Sequence, residues 1–383
     1  MKPLKIKKVE LITYGDPNQD KPWWALSNKP AYFTHNVCKI TTEDGYIGLG
    51  STYSFCDDDF EYATFESART YADAILGESA LDREALWYKM MGKPNSMANA
   101  PVSMYDMALW DIVGKYAKLP LYQLLGGYRD KILAYASGMT YNTIPEYLEV
   151  VQEAMDHGYK AFKLHCYCIF DKDLELVKAV QEKFGNSGMR FSLDPDLRYN
   201  REDSIKMARV LEDFGWDWLE SPTSDYDYIG YKKIVDKTNI PLSCGGNLML
   251  NLQEIANYIR LDAWTDVRAD TSVNGGITPM RKIMNLAEAN FMRCEVQSWG
   301  NTIQMAANLH IMLSHNNCTY FEHAYPHDTH DLGAVEPFDI DSDGYIHAPK
   351  GYGLGVDLDW DVVEKYKLRY KCIENEEIIK KVG

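Results

Sequence analysis

The sequence predicts an α/β protein in two parts, an antiparallel region with helices followed by a barrel of alternating strands and helices. Two observations carry this reading. Beyond Gly126-Gly127 the chain repeats a short apolar strand, a loop and an amphipathic helix. Eight strand-like runs recur at a spacing of about 25–30 residues, which suits a barrel of about 250 residues better than an open doubly wound sheet. Within the repeat, residues 189–222 hold two strand runs that each stop on a carboxylate, Asp194 and Glu220, with an amphipathic run over 201–214 between them. A right-handed βαβ unit puts both strand ends on one edge of a parallel sheet, so the two carboxylates converge where α/β folds bind ligands. They read either as a divalent-cation site or as capping and salt-bridged acids in βα loops. No GxGxxG follows the first barrel strand, which disfavours a dinucleotide fold.

Taken in order, residues 4–14 (LKIKKVELITY) and 32–50 alternate apolar and polar side chains, and Glu43-Asp44-Gly45 marks a hairpin turn in the second run. Between them Trp23 and Trp24 sit in a polar loop, either closing over a ligand or anchoring the loop on the core. Residues 59–118 turn helical, with apolar residues at helical spacing. Barrel strands are then expected at 132–137, 161–166, 189–194, 216–220, 241–244, 263–267, 291–296 and 319–322. Thr143-Ile144-Pro145-Glu146 reads as a capping box before one intervening helix, and Gly158 and Gly215 stop two of them. From Gly351 the tail loses barrel-strand character and is expected to return to the N-terminal part. The expected division is 1–130, 131–350 and 351–383.

With 383 residues, 46% hydrophobic and 25% charged, the chain has soluble globular composition and can bury a substantial core. A formal net charge of −16 argues against nucleic acid or anionic membrane surfaces as partners. No apolar run approaches a membrane span and the start MKPLKIKKVELITYG is too polar for a signal peptide, so a cytoplasmic location is expected. The eight cysteines form no CxxC and no framework spacing, and read as reduced and mostly buried.

Chemistry in a barrel sits where strands end at the C-terminal face. The second strand brings Lys163 and His165, two apart and therefore on one side. The third brings Asp194 and Asp196, the fourth Glu220, and the fifth Gly245-Gly246-Asn247. The sixth brings Arg268 and Asp270, the seventh Glu295 and Gln297, and the eighth Glu322. His35 lies in the N-terminal sheet, either near a substrate or packed, and His323, His327 and His330 follow the eighth strand without a zinc signature.

This order resembles the mandelate racemase and muconate lactonizing branch of the enolase superfamily over essentially the whole chain. Tyr105-Asp106-Met107-Ala108-Leu109-Trp110-Asp111 with Gly114-Lys115 looks like that branch's first signature, Lys163-Leu164-His165 like its second-strand motif, and Asp270 with Gly275-Gly276-Ile277-Thr278 like its sixth-strand motif. The resemblance implies a modified (β/α)7β TIM-type barrel under an N-terminal α+β capping domain and a Mg²⁺ site, and a homo-oligomer is expected. It implies Asp194 and Glu220 as metal ligands, Lys163 and His165 as the acid/base pair on one face of the substrate, and Glu322 near the substrate carboxylate. In such enzymes a base removes the proton α to a carboxylate, and a cation stabilises the enediolate.

Departures from the family pattern are equally informative. The third ligand, a glutamate after glycine on the fifth strand, is replaced by Gly246, which weakens the expected Mg²⁺ binding or removes it. Gln297 stands where the seventh-strand histidine is expected, which leaves Asp270 no imidazole to orient and makes Gln297 a substrate-binding candidate. Arg268 could fill the room left by the missing glutamate and sit against Glu220, touching substrate, or be a core salt bridge. Alternatively Asn247 and Asp196 could complete an oxygen shell around Mg²⁺. The expected function is a dehydratase-like lyase acting on a small hydroxy-carboxylate or acid sugar, with Lys163 or His165 as base and Asp196 or a water helping the β-hydroxyl depart. The alternatives are a non-catalytic relative that binds a carboxylate or serves in assembly, and a racemase or epimerase.

Overall fold

The computed structural model describes residues 3–16, 33–54, 58–93, 99–246, 251–328 and 330–374. Trp23, Trp24 and Asn247 lie outside them. The alternating N-terminal runs become β1 (Ile6–Tyr14), β2 (Thr34–Thr42) and β3 (Ile47–Ser54), joined in antiparallel pairs. At the expected hairpin, Gly45 takes a φ of 83° and its N–H donates to the Thr42 carbonyl at 3.1 Å, a conformation that glycine adopts without steric cost.

Helix Asn99–Ala117 lies across this sheet and is buried from Pro101 to Gly114. A Cβ at Gly48 or Gly50 would stand 2.1 Å from the Ala108 carbonyl oxygen or 1.9 Å from that of Met104, so glycine at both positions lets β3 touch the helix backbone. The same helix docks the cap on the barrel. Asp106 accepts from Thr278 N at 2.8 Å and Thr278 Oγ1 at 2.6 Å, and Asp111 accepts from Leu49 N at 3.0 Å and Leu354 N at 2.8 Å. Asp106 therefore joins the cap to the barrel, while Asp111 pairs buried backbone donors of the cap sheet and of the returning tail, partners that such donors require.

The barrel strands are β4 (Lys131–Ser137), β5 (Ala161–His165), β6 (Arg190–Asp194), β7 (Trp218–Glu220), β8 (Leu242–Cys244), β9 (Asp266–Ala269), β10 (Arg293–Val296) and β11 (Tyr320–Ala324). They pair in parallel in the order β10-β9-β8-β7-β6-β5-β4-β11, and β12 (Tyr345–His347) adds to β4 antiparallel. Across the remaining seam Cys294 N donates to the Asn317 carbonyl at 2.7 Å, so the barrel is nearly closed. The sixth strand starts later than the apolar run at 263–267 suggests, because Trp264 lies before it and stacks on Tyr258 with ring centroids 4.2 Å apart. Among the described residues no helix lies between β11 and β12, in keeping with a (β/α)7β barrel, and the next helix, Trp360–Lys365, belongs to the returning tail.

Between strands, Asn200, Asn251 and Asn301 cap helices through their side chains, and Gly158 and Gly215 end two helices in the left-handed region. Half of the capping box forms, with Thr143 Oγ1 accepting from Glu146 N at 3.4 Å, while the Glu146 carboxylate is displaced by one residue and accepts from Asn142 N at 2.9 Å rather than from the Thr143 amide. The chain then returns from the barrel as β13 (Lys367–Glu374), which pairs antiparallel with β1 and extends the cap sheet. Cys38, Cys166, Cys168, Cys244, Cys294, Cys318 and Cys372 are free thiols. Among the described residues no helix is long and apolar enough to cross a membrane.

Candidate active site at the barrel mouth

All residues of β5 are buried, and its inward-facing pair is Lys163 and His165. The Lys163 ammonium lies 3.1 Å from both oxygens of Glu220, 2.7 Å from Glu322 Oε1 and 3.5 Å from Asp194 Oδ2. One side chain thus gathers the acids that end β6 and β7 and the one at the middle of β11. Burial pulls Lys163 down, but Glu220 and Glu322 outweigh it and hold the ammonium above its ordinary pKa.

Arg268 on β9 is the second cation, completely buried. Its Nε donates to Glu220 Oε1 at 2.7 Å, and its Nη2 to Glu322 Oε2 at 2.6 Å and to the Tyr135 hydroxyl at 3.1 Å. It therefore sits against Glu220 and crosses the barrel interior as a bridge between β7 and β11. Glu322, expected near a substrate carboxylate, has both oxygens engaged inside this network, with Ser137 Oγ at 2.9 Å on Oε1 and Ser298 N at 3.0 Å on Oε2. Burial works against its charge, yet Arg268 and Lys163 hold its carboxyl well below the usual carboxylate range. Three carboxylates face two fixed cations. Burial raises the Glu220 carboxyl above its ordinary value despite Arg268 and Lys163 beside it.

His165 stands nearer the mouth. Its Nδ1 is 2.5 Å from the Gly138 carbonyl oxygen and its Nε2 is 3.2 Å from Asp194 Oδ2. Both ring nitrogens thus face acceptors. The Trp299 ring meets the imidazole at right-angle-like geometry, centroids 5.1 Å apart, and Trp299 Nε1 donates to Ser137 Oγ at 3.0 Å. Asp194 also accepts from the Asp196 amide at 2.9 Å. Burial opposes its charge, but Lys163 and His165 hold its carboxyl below the usual range.

Asp196 lies beside this cluster at the rim, with a left-handed backbone at φ 48°. Burial and the Asp194 charge push its carboxyl up to about 6. Leu197 (φ 63°) and Ser221 (φ 36°) share the unusual backbone, and Leu197 N donates to the Ser221 carbonyl at 2.9 Å, which clamps the loops after β6 and β7 together.

Of the remaining expected site residues, Asp270 and His35 are placed apart from these groups, and Gln297 borders Gly246 together with Arg268. Asp270 is fully buried behind β9, accepting from Gln304 Nε2 at 3.0 and 2.9 Å and from Asn308 Nδ2 at 3.0 Å. Side-chain amides take the place of an imidazole, and burial raises the Asp270 carboxyl to about 6. Gln297 Oε1 is buried without a hydrogen-bond partner among the described residues. His35 is buried in the cap, stacked on Tyr14 with centroids 4.8 Å apart. Tyr135, Ser137, Gly138 and Trp299 went unmarked in the sequence. Tyr135 and Ser137 are two apart on β4, the same signal that marked Lys163 and His165.

Around the expected metal ligands, the Lys163 ammonium lies 3.5 Å from Asp194 Oδ2 and 3.1 Å from Glu220 Oε1, and the third position is Gly246. A Cβ at Gly246 would meet Gln297 Oε1 at 2.5 Å and Arg268 Cγ at 2.7 Å, so Arg268 fills the room that a third carboxylate would need. Among the described residues no three His, Cys, Asp or Glu side chains are grouped to hold a metal ion.

Known proteins share this architecture. A family profile described as Enolase C-terminal domain-like matches residues 146–362, and one described as Mandelate racemase / muconate lactonizing enzyme, N-terminal domain, matches residues 29–126. A Pseudovibrio sp. protein provisionally described as a mandelate racemase/muconate lactonizing enzyme is 40% identical, superposes with a TM-score of 0.95, and is matched over 98% of this chain and 100% of its own. D-glucarate dehydratase from Agrobacterium tumefaciens, complexed with magnesium, is 28% identical with a TM-score of 0.81, over 96% of this chain and 100% of its own. Arabinonate dehydratase of Saccharolobus solfataricus is 29% identical over 86% of this chain and 90% of that protein. Profile and fold agree: the chain belongs to the mandelate racemase/muconate lactonizing enzyme branch of the enolase superfamily.

Proposed function

We propose that the protein is a carbon–oxygen lyase that removes the α-proton of a small hydroxy-carboxylate or acid sugar and expels the β-hydroxyl, with His165 as the base. The observation that carries this reading is the position of His165, at the mouth between Asp194 and Trp299, while Lys163 is held as a cation one step deeper on the same strand. With Nδ1–H donated to the Gly138 carbonyl, Nε2 is the basic nitrogen, and Asp194 beside it stabilises the imidazolium formed when the proton arrives. Lys163 and Arg268 supply fixed positive charge beneath the reacting carboxylate, where negative charge develops. Asp196, at the same rim, protonates the leaving hydroxyl. Gln297 Oε1 is an acceptor in want of a donor, which a substrate hydroxyl provides. Two of the relatives are dehydratases of acid sugars by name, which supports the same reaction class.

The closed ion pairs of Glu322 and Arg268 favour a second reading, a relative that binds a carboxylate without turning it over. A panel of aldonic and aldaric acids, assayed for 2-keto product with wild type and His165→Asn, separates the two. Turnover of a panel member that disappears in His165→Asn is expected. No product from any member, or equal turnover in the variant, would reject the lyase.

A further inference from the structure

We propose that Lys163 and Arg268 form a built-in cationic centre in the place where a divalent metal would lie, so that this chain holds its site carboxylates together without binding Mg²⁺. Position is the first argument. An ion bound by Asp194 and Glu220 at the usual Mg–O distance of about 2.1 Å has to lie between them. The Lys163 Nζ stands there, 3.5 Å from Asp194 Oδ2 and 3.1 Å from each Glu220 oxygen, and also 2.7 Å from Glu322.

Room is the second argument. The ligand position on the fifth strand carries no side chain, and the volume in front of Gly246 holds the Arg268 stem, 2.7 Å from an ideal Cβ. Arg268 cannot step aside by losing its proton, because a guanidinium stays charged at any pH the fold survives. Its donors are committed to Glu220, Glu322 and Tyr135, and swinging it out would strand two buried carboxylates.

Charge is the third. Asp194, Glu220 and Glu322 oppose Lys163 and Arg268, so the cluster is short by one positive charge. A divalent ion added to it would leave one positive charge in excess in a region closed to solvent.

The test uses the intact protein. Wild type is equilibrated with millimolar Mg²⁺, gel-filtered, and analysed for magnesium by emission spectrometry, and Mn²⁺ is titrated by electron paramagnetic resonance as a spectroscopic probe. We expect magnesium far below one ion per chain, no loss of the free Mn²⁺ signal beyond that of a buffer control, and the same melting temperature with Mg²⁺ or EDTA. One retained magnesium per chain, or saturable Mn²⁺ uptake, would overturn the proposal. The double variant Gly246→Glu/Arg268→Gln should gain Mn²⁺ affinity by at least about tenfold, and a folded double variant that gains none also overturns it. Should the double variant not fold, the wild-type measurements decide alone. Metal retention would leave the lyase reading standing, since that is judged by the loss of turnover in His165→Asn.

Discussion

Lys163 and Glu220, 57 residues apart in sequence, meet as a buried pair in which one ammonium is equidistant, at 3.1 Å, from both carboxylate oxygens. That geometry fixes the lysine as a cation and ties β5 to β7. Lys163→Met should therefore weaken the fold as well as the site, because Glu220 and Glu322 are each left with one cation. A loss of about 3–5 kcal/mol is expected from urea denaturation, the range for removing one partner of a buried pair. A change below about 1 kcal/mol would place the lysine outside the network that its distances describe.

Gly246→Ala tests the crowding at the end of β8 more gently than a new carboxylate. The added methyl meets Arg268 Cγ at 2.7 Å, in the middle of a side chain that is anchored at its far end. An overpacking penalty of about 1–3 kcal/mol is expected from thermal and urea unfolding. Unchanged stability would mean that Arg268 can give way.

Proton transfer should be confined to one face of the substrate. On the proposed reading His165 serves one side, and Gln297, an amide with no protonation equilibrium near neutral pH, stands on the other. In D₂O, α-exchange on the true substrate should retain configuration and vanish in His165→Asn. Accumulation of the inverted, deuterated isomer by NMR and chiral chromatography would contradict this arrangement.

His310 offers a prediction for pH. Tyr122 N donates to its Nδ1 at 3.1 Å and its Nε2 contacts the Leu354 carbonyl at 3.0 Å, so the ring is neutral and both nitrogens are used. Burial pushes its pKa down to about 4. In the unfolded chain the ring takes a proton near pH 6.5. As pH falls from there towards 4 the unfolded state binds more protons, and stability drops by an amount complete below pH 4. Between about pH 7.5 and about pH 5 this one group should cost on the order of 2 kcal/mol. The drop measured for His310→Gln should be smaller than for wild type by that order. Equal drops would show that His310 ionises alike in both states.

How far the sequence could be read depended on whether a feature is local. Lys163 and His165 are two apart in one strand, and Asp194 and Glu220 each terminate one, so period and position sufficed to bring them together. The apolar run at 263–267 misplaced the sixth strand because Trp264 is buried by stacking on Tyr258, and burial by stacking looks the same as burial by sheet. Ser137 and Trp299 come from β4 and from the loop after β10, and their meeting depends on how the barrel closes. Arg268 showed the same limit: its direction along β9 was legible, but not that it would span the interior to reach Glu322. The displaced box at Glu146 arose because a carboxylate can serve either of two adjacent amides.

The pairing of β1 with β13 has a bearing on how the chain is made. Lys8 lies opposite Glu374 and Tyr14 opposite Lys367, so the two most distant strands of the described chain are neighbours in one sheet. On the ribosome, β1 emerges early and keeps an open edge for the whole time that the barrel is being synthesised. An unpaired edge is a template for stray strand addition. Nascent chains arrested before residue 367 should accordingly depend on chaperones to stay dispersed, and release of the final strand should end that dependence by closing the edge from within.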